Sequence, residues 1–134
     1  MTLDLEAVHR AAADIIRDGL GDVFTVSPCP DTQPAPVIEV WPGDEWVTYQ
    51  ATQHPEANAT LRIRIEAHMG DNETGFMAMT RALSPSSNVS IWALLEDDTT
   101  LRGTVAALET HGARWEPDPE TKTQIAWVDV EVYE

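Results

Sequence analysis

The sequence has little of what marks exported, membrane-spanning or nucleic-acid-binding proteins. Its single cysteine, Cys29, excludes an internal disulfide, and we expect it to be buried and to behave as a small apolar residue. No apolar run approaches the ~20 residues that span a bilayer, and acids interrupt the start, where an export signal would lie. The chain has only 8 lysines and arginines but 23 acids, and this balance disfavours binding to phosphate backbones and to anionic membranes. We therefore expect synthesis in a reducing cytoplasm, with no specific nucleic acid and no membrane as partner.

The sequence also lacks the short motifs of catalytic and nucleotide-binding sites. It contains no Gly-x-Ser-x-Gly elbow, no phosphate-binding glycine loop and no closely spaced glycines after a strand. His9, His54, His68 and His111 lack the spacing of metal ligands, so we expect surface histidines at strand or loop ends. The acidic run Glu96–Asp98 is typical of a solvated turn. These absences predict a protein that is not an enzyme and has no catalytic residue, cofactor or metal.

The overall composition is that of one ordinary folded domain. The chain has 134 residues, of which 43% are apolar and 23% charged. Such a chain can bury one hydrophobic core and has no need of a second. We predict a single domain over residues 1–134 of the α+β class. Its antiparallel or mixed sheet would have about five to six strands, with an N-terminal helix and a second helix packed on one face.

Two segments have the periodicity of amphipathic helices. In Leu3–Asp18 apolar residues recur at three- and four-residue spacing, and Thr2 can cap the start. A second helix is predicted to begin at the capping residue Asp71. Its inward face would carry Phe76, Met79, Ala82 and Leu83. Asn88–Leu95 is compatible with a short helix or a turn, because its apolar run is too short for periodicity to decide.

Several segments favour extended structure. Asp22–Ser27 is predicted to be a strand that enters a proline-rich connector. Pro36–Trp41 and Glu45–Gln50 are predicted to be two strands joined by a tight turn at Pro42–Asp44. In Leu61–Ala67 apolar residues alternate with charged ones, which indicates a strand with one buried face.

Two polar connections are predicted to be exposed loops. The first, Ala51–Asn58, precedes the alternating strand. The second, Glu116–Lys122, contains two prolines and several acids. It separates Leu101–Trp115 from Gln124–Tyr133, and both of these flanking segments favour strands. We therefore predict a β-hairpin at the end of the chain.

Tryptophan is frequent for a chain of this length. The five residues are Trp41, Trp46, Trp92, Trp115 and Trp127. Tryptophan is enriched at interface hot spots as well as in cores. Trp46 follows the predicted Pro-Gly-Asp turn and Trp115 precedes the acidic loop, so each is as compatible with a subunit contact as with partial burial. These two residues are our candidates for a protein–protein interface.

The order of several segments is typical of one viral protein family. Trp41–Asp44 (WPGD), Val47–Tyr49 (VTY) and Thr52 follow an apolar strand, and the alternating strand and an acid-started helix come next. Val89–Leu94 and a Thr-Leu-x-Gly turn at Thr100–Gly103 follow. In this order the segments resemble the tail terminator proteins of long-tailed, siphovirus-type actinobacterial phages. The similarity ends after residue 109, and the charged loop has no counterpart.

The resemblance implies an α+β subunit that assembles into a hexameric ring on the finished tail tube. The ring would stop tail polymerisation and help to join the tail to the head. Its partners would be other copies of the chain, the major tail tube protein and the head-to-tail connector or stopper protein. The protein would be made in the host bacterial cytoplasm and end in the tail-neck region of the virion. The net charge of -15 is compatible with a lumen that passes DNA without binding it.

Three other classes of function stay open. A tail-completion or head-to-tail connector protein of the phage neck would share the size, the acidity and the α+β plan. A small acidic adaptor or inhibitor would be steered by its charge to a basic partner. An enzyme or small-molecule-binding domain would need polar groups that converge in an apolar pocket, and the sequence points to no such group.

Overall fold

The computed structural model describes residues 3–49, 57–69 and 73–134, which form three helices and one five-stranded sheet. The helices are α1 (Leu5–Leu20), α2 (Glu73–Leu83) and α3 (Ile91–Asp97). The strands are β1 (Thr25–Ser27), β2 (Val37–Tyr49), β3 (Ala57–His68), β4 (Ala107–Asp118) and β5 (Thr123–Tyr133). The sheet order is β1-β2-β3-β5-β4, with β1 parallel to β2 and the other pairs antiparallel. The predicted α+β class, mixed sheet and N-terminal helix are confirmed.

The core lies between the helices and one face of the sheet. Alternate residues of β3 supply its centre, because Leu61, Ile63 and Ile65 are at most 2% exposed. Ile63 stands between Val40 of β2 and Val128 of β5, both buried. Each fully buried side chain of this size contributes about 1.5–3 kcal/mol to folding. We call the opposite side of the sheet the open face.

Helix α1 begins two residues later than the sequence suggests. Asp4 caps it, and its Oδ1 accepts a hydrogen bond from the Ala7 amide at 3.2 Å. The predicted cap, Thr2, lies outside the described residues. The helix buries the stripe that periodicity indicated: Val8, Ala12, Ile15 and Ile16 among others.

The predicted turn at Pro42–Asp44 is wrong, because β2 continues through it. Pro42 pairs with Leu61 and Val47 pairs with Ala59, so residues 43–46 lie opposite Thr60 alone. This bulge of residues 43–46 lets both halves of β2 pair with one continuous β3. Pro42, which has no N–H to donate, lies at its edge. A Cβ on Gly43 would lie 2.3 Å from Thr60 Oγ1, so the bulge requires glycine there.

The second helical region is partly as predicted. Met79 and Ala82 of α2 are buried, but Phe76 is 43% exposed and its predicted burial is wrong, because it lies at the flank of the buried stripe. The predicted cap, Asp71, is outside the described residues. The open question on residues 88–95 is answered by α3, which Ser90 caps through the Ala93 amide at 3.1 Å.

The terminal β-hairpin is confirmed with different bounds. Residues 101–106 form turns with positive φ at Leu101, Arg102 and Gly103, so β4 begins at Ala107. Strand pairing then runs to Asp118, which shortens the predicted charged loop to residues 119–122. Strand β1 is likewise shorter than predicted. Of the predicted loop over residues 51–58, only the last two lie in the described part, and both belong to β3.

Candidate interaction surfaces

Trp46 projects from the β2 bulge towards the N-terminal end of α1. Its Nε1 donates to His9 Nε2 at 3.2 Å, and the two rings meet edge to face with centroids 5.6 Å apart. Trp46 is nevertheless 44% exposed. It forms one wall of a cleft of about 400 Å³, which we call the α1 groove. The groove is lined by Leu5, Glu6, His9, Arg10, Pro28, Cys29, Pro30, Pro42 and Trp46.

His9 holds this tryptophan from a buried position. It is 8% exposed, so its predicted surface location is wrong. Its Nδ1 lies 2.9 Å from the Pro28 carbonyl oxygen, which can only accept, so Nδ1 carries the proton. Nε2 is then free to accept from Trp46. Cys29 is exposed beside Pro28, which corrects its predicted burial, because the proline-rich segment runs along the surface.

Trp115 lies at the opposite edge of the sheet. It stands across from Ala126, on the side of the sheet that carries the core, yet it is 50% exposed. Its Nε1 donates to Gln124 Oε1 at 3.0 Å. Nearby, α2, α3 and β4 enclose a cleft of about 290 Å³, which we call the β4 groove. Its lining includes Leu83, Pro85, Trp92, Gly112 and Ala113.

The structure therefore does not bring the two candidate tryptophans together. Trp46 belongs to the β1–β2 side of the sheet and Trp115 to the β4 edge. Sequence reasoning missed further exposed apolar side chains, among them Tyr49, Phe76, Met77 and Trp92. One signal was available in α2, since the neighbours Phe76 and Met77 cannot both face the core of one helix.

The open face carries the other two tryptophans in a charged network. Trp41 and Trp127 meet edge to face at 5.3 Å, and the guanidinium groups of Arg62 and Arg64 lie 5.1 and 5.8 Å from the Trp127 ring centre. Arg64 also pairs with Glu39, which is only 1% exposed. The buried carboxylate is satisfied by three donors: Arg64, the Trp41 indole and the Asp31 amide. This network is structural.

The acidic run ends α3 and is not wholly solvated. Glu96 and Asp97 are exposed, whereas Asp98 accepts hydrogen bonds from Thr100 and from the Arg102 amide. Burial would raise the pKa of Asp98, but the hydrogen bonds from Thr100 and Arg102 outweigh it and lower that pKa below its usual value. Asp98 thus anchors the turn that leads to β4.

Two further histidines have exposed positions. His68 Nε2 lies 2.9 Å from the Ala35 carbonyl oxygen, and His111 Nε2 lies 3.2 Å from Glu131 Oε2. His54 is outside the described residues. His111, Glu109 and Glu131 form a group of potential metal ligands, with the ligand atoms within 4.8 Å of one another. The sequence did not predict this group, because Glu131 lies on β5, 20 residues after His111.

No helix in the described part of the chain is long and apolar enough to cross a membrane.

Comparisons with known proteins give no family. No family model matches the chain, and no curated protein matches it. Among solved structures, a chain from the virion of a native gene transfer agent particle aligns with 96% of this chain and 92% of that chain, at 12% identity and a TM-score of 0.49. So distant a likeness is not evidence of shared function.

Proposed function

We propose that the chain is a phage virion assembly protein that closes the tail tube as a ring, stops tail polymerisation and helps to join tail to head. The ordered resemblance of its segments to tail terminators supports this class of protein. The proposal treats residues 1–134 as one such domain. It gives the chain no catalytic role and no cofactor.

The observation that carries the proposal is the pair of exposed tryptophan surfaces at opposite sides of the sheet. Every subunit of a ring contacts two neighbours through two different patches. An apolar groove with an anchored tryptophan is the kind of surface that carries binding energy in interfaces. We propose that the α1 groove of one copy, which includes Trp46, contacts the β4 edge of the next, where Trp115 lies two residues beyond Ala113 of the β4 groove.

Strand β4 supports the same arrangement. It is an edge strand of 12 residues, and all of residues 111–117 are exposed. Long uncovered edges invite pairing with other chains, so proteins usually shorten or cover them. The opposite edge strand, β1, has only 3 residues. A neighbouring subunit placed on β4 would cover the longer edge.

The charge of the chain supports a lumen that passes DNA. The guanidinium groups on the open face are already paired: Arg62 with Asp44 and Asp129, and Arg114 with Asp129. The net charge of -15 would repel the phosphate backbone. The partners of the ring in this proposal are the tail tube protein on one side and the head connector or stopper on the other, in the neck of the virion.

Deletion of the gene from its phage tests this function. Tail lengths would be measured by negative-stain electron microscopy, with the gene supplied from a plasmid as the control. Overlong, headless tails with a broad length distribution are the expected result. Tails of normal length that fail to join filled heads would instead assign the chain to the connector proteins. Unchanged infectious particles would contradict any role in the virion.

A further inference from the structure

Two carboxylates face each other at the end of the β4–β5 hairpin that lies away from its turn. Glu109 and Glu131 are direct partners in the strand register. Like charges in directly opposed positions destabilise a sheet. Among the described residues, no lysine or arginine forms an ion pair with either one, although Arg114 lies on the same hairpin and pairs with Asp129 instead. No lysine or arginine of the described residues therefore offsets the repulsion between these two carboxylates.

A bulge adds an imidazole to this pair. The register shifts between Thr110 and Gly112, so His111 has no partner across the strand, and Gly112 stands opposite Asp129 in its place. His111 Nε2 reaches back to Glu131 Oε2 at 3.2 Å. Bulges often re-aim a side chain in this way. The result is a mixed nitrogen and oxygen cluster, which differs from a plain acidic surface.

The spacing of the three ligand atoms suits one shared cation. They lie within 4.8 Å of one another, and ligands bound to one ion at about 2.0–2.2 Å are about 3–4 Å apart, so small side-chain rotations would bring them into place. Three protein ligands leave positions for water. His111 and Glu131 also line an open cavity of about 520 Å³, which has room for those waters.

We propose that Glu109, His111 and Glu131 bind one divalent first-row transition-metal ion, with Zn²⁺ as the reference case. One imidazole with two carboxylates selects such ions, whereas Ca²⁺ and Mg²⁺ prefer oxygen ligands alone. The bound cation would offset the repulsion between the opposed carboxylates and so tie β4 to β5 at the bulge.

Tyr133 lies beside the same cluster, near the end of β5. Its hydroxyl lies 3.4 Å from Glu109 Oε2.

Calorimetric titration of the untagged full chain with ZnCl₂ at neutral pH tests the proposal. We expect one Zn²⁺ per chain with a dissociation constant on the order of micromolar, and binding of CaCl₂ at least about tenfold weaker. His111→Gln and Glu131→Gln should each weaken Zn²⁺ binding at least about tenfold. His68→Gln is the matched control, since His68 is also exposed but bonded to a backbone carbonyl, and it should bind like the wild type. Absent Zn²⁺ binding, unaltered binding by His111→Gln or equally tight Ca²⁺ binding would overturn the proposal.

A measurement on the wild-type chain avoids any effect of the substitutions on folding. Paramagnetic Mn²⁺, added at substoichiometric amounts, broadens the amide signals of residues near its binding site. We expect the strongest broadening at residues 107–112 and 129–133, with weaker broadening around Thr60 of β3, which pairs with Glu131. Broadening centred on other acidic surfaces, such as residues 96–98, would reject the site.

Discussion

The two sides of the sheet hold their exposed tryptophans in different ways. Trp46 is fixed against α1 by a buried histidine, beside an edge strand of only 3 residues. Trp115 lies on an edge strand of 12 residues that is exposed along most of its length. The fold holds the first surface in place, whereas the second has edge-strand backbone N–H and C=O groups to which a partner can hydrogen-bond. This difference is what a ring of identical subunits needs, because each contact joins two unlike surfaces.

Removal of either tryptophan should have the largest effect on assembly. Trp46→Ala and Trp115→Ala should each abolish ring formation, since truncation of a central interface tryptophan costs about 2 kcal/mol or more per contact. Both variants should keep the wild-type circular dichroism spectrum because both side chains are about half exposed. Light scattering coupled to size-exclusion chromatography would measure the assembly mass.

The matched control for this comparison is Val23→Ala. Val23 is 48% exposed and lies on neither of the two proposed tryptophan surfaces, so its truncation should leave the assembly mass unchanged. Equal loss of assembly in Val23→Ala would mean that the effect is not specific to the two tryptophan surfaces. An intact ring in either tryptophan variant would remove that surface from the proposed contact.

Substitution of the glycine at each bulge should show, in the free energy of unfolding, how tightly each side of the sheet is packed. Gly43→Ala should destabilise the chain by about 1–3 kcal/mol, since its Cβ would lie 2.3 Å from Thr60 Oγ1. Gly112→Ala should change stability by less than about 0.5 kcal/mol, because no atom of the described residues lies within 4 Å of a Cβ there. Urea unfolding of both variants measures the difference. Equal destabilisation would show that the β2 bulge is no more tightly packed than the β4 bulge.

The smallest expected effect is a shift in the alkaline titration of Tyr133, near the end of β5. In Tyr49→Phe, Tyr133 is the sole remaining tyrosine, and its absorbance at 295 nm should titrate near pH 12. The raised pKa favours the protonated, folded state, so its stabilisation is complete below the unfolded value of 10.0 and is lost as pH rises through about 12. Glu131→Gln in the same background should lower this pKa. Titration near pH 10 without that substitution would contradict the proximity of Tyr133 to Glu131.

Local sequence patterns correctly predicted the helix and the strand whose buried face can be recognised without knowing what packs against it. Alternation in Leu61–Ala67 identified the central strand and its buried face, and helical spacing identified α1 within two residues at each end. The helix and strand predictions succeed because burial of one face imposes a period on the sequence whatever the neighbouring element is. Trp46 and Trp115 were chosen by their positions beside a predicted turn and an acidic loop, both are about half exposed, and their role in an interface stays a prediction.

The failures involve partners distant in sequence. Pro42–Asp44 reads as a turn, but pairing with β3 across the bulge keeps β2 extended. The burial of His9 depends on Pro28 and on Trp46, which lies 37 residues away. The exposure of Phe76 depends on how α2 is oriented over β3. In each case the deciding contact forms only when the sheet is assembled.

Mixing of the two tryptophan variants tests the central claim most directly. If the Trp46 surface of one copy meets the Trp115 surface of the next, each variant alone loses every contact and stays monomeric. A mixture retains one intact contact, between the Trp115 surface of Trp46→Ala and the Trp46 surface of Trp115→Ala. We expect one-to-one heterodimers by native mass spectrometry and no larger species. Homodimers of either variant alone, or no complex in the mixture, would contradict the head-to-tail ring.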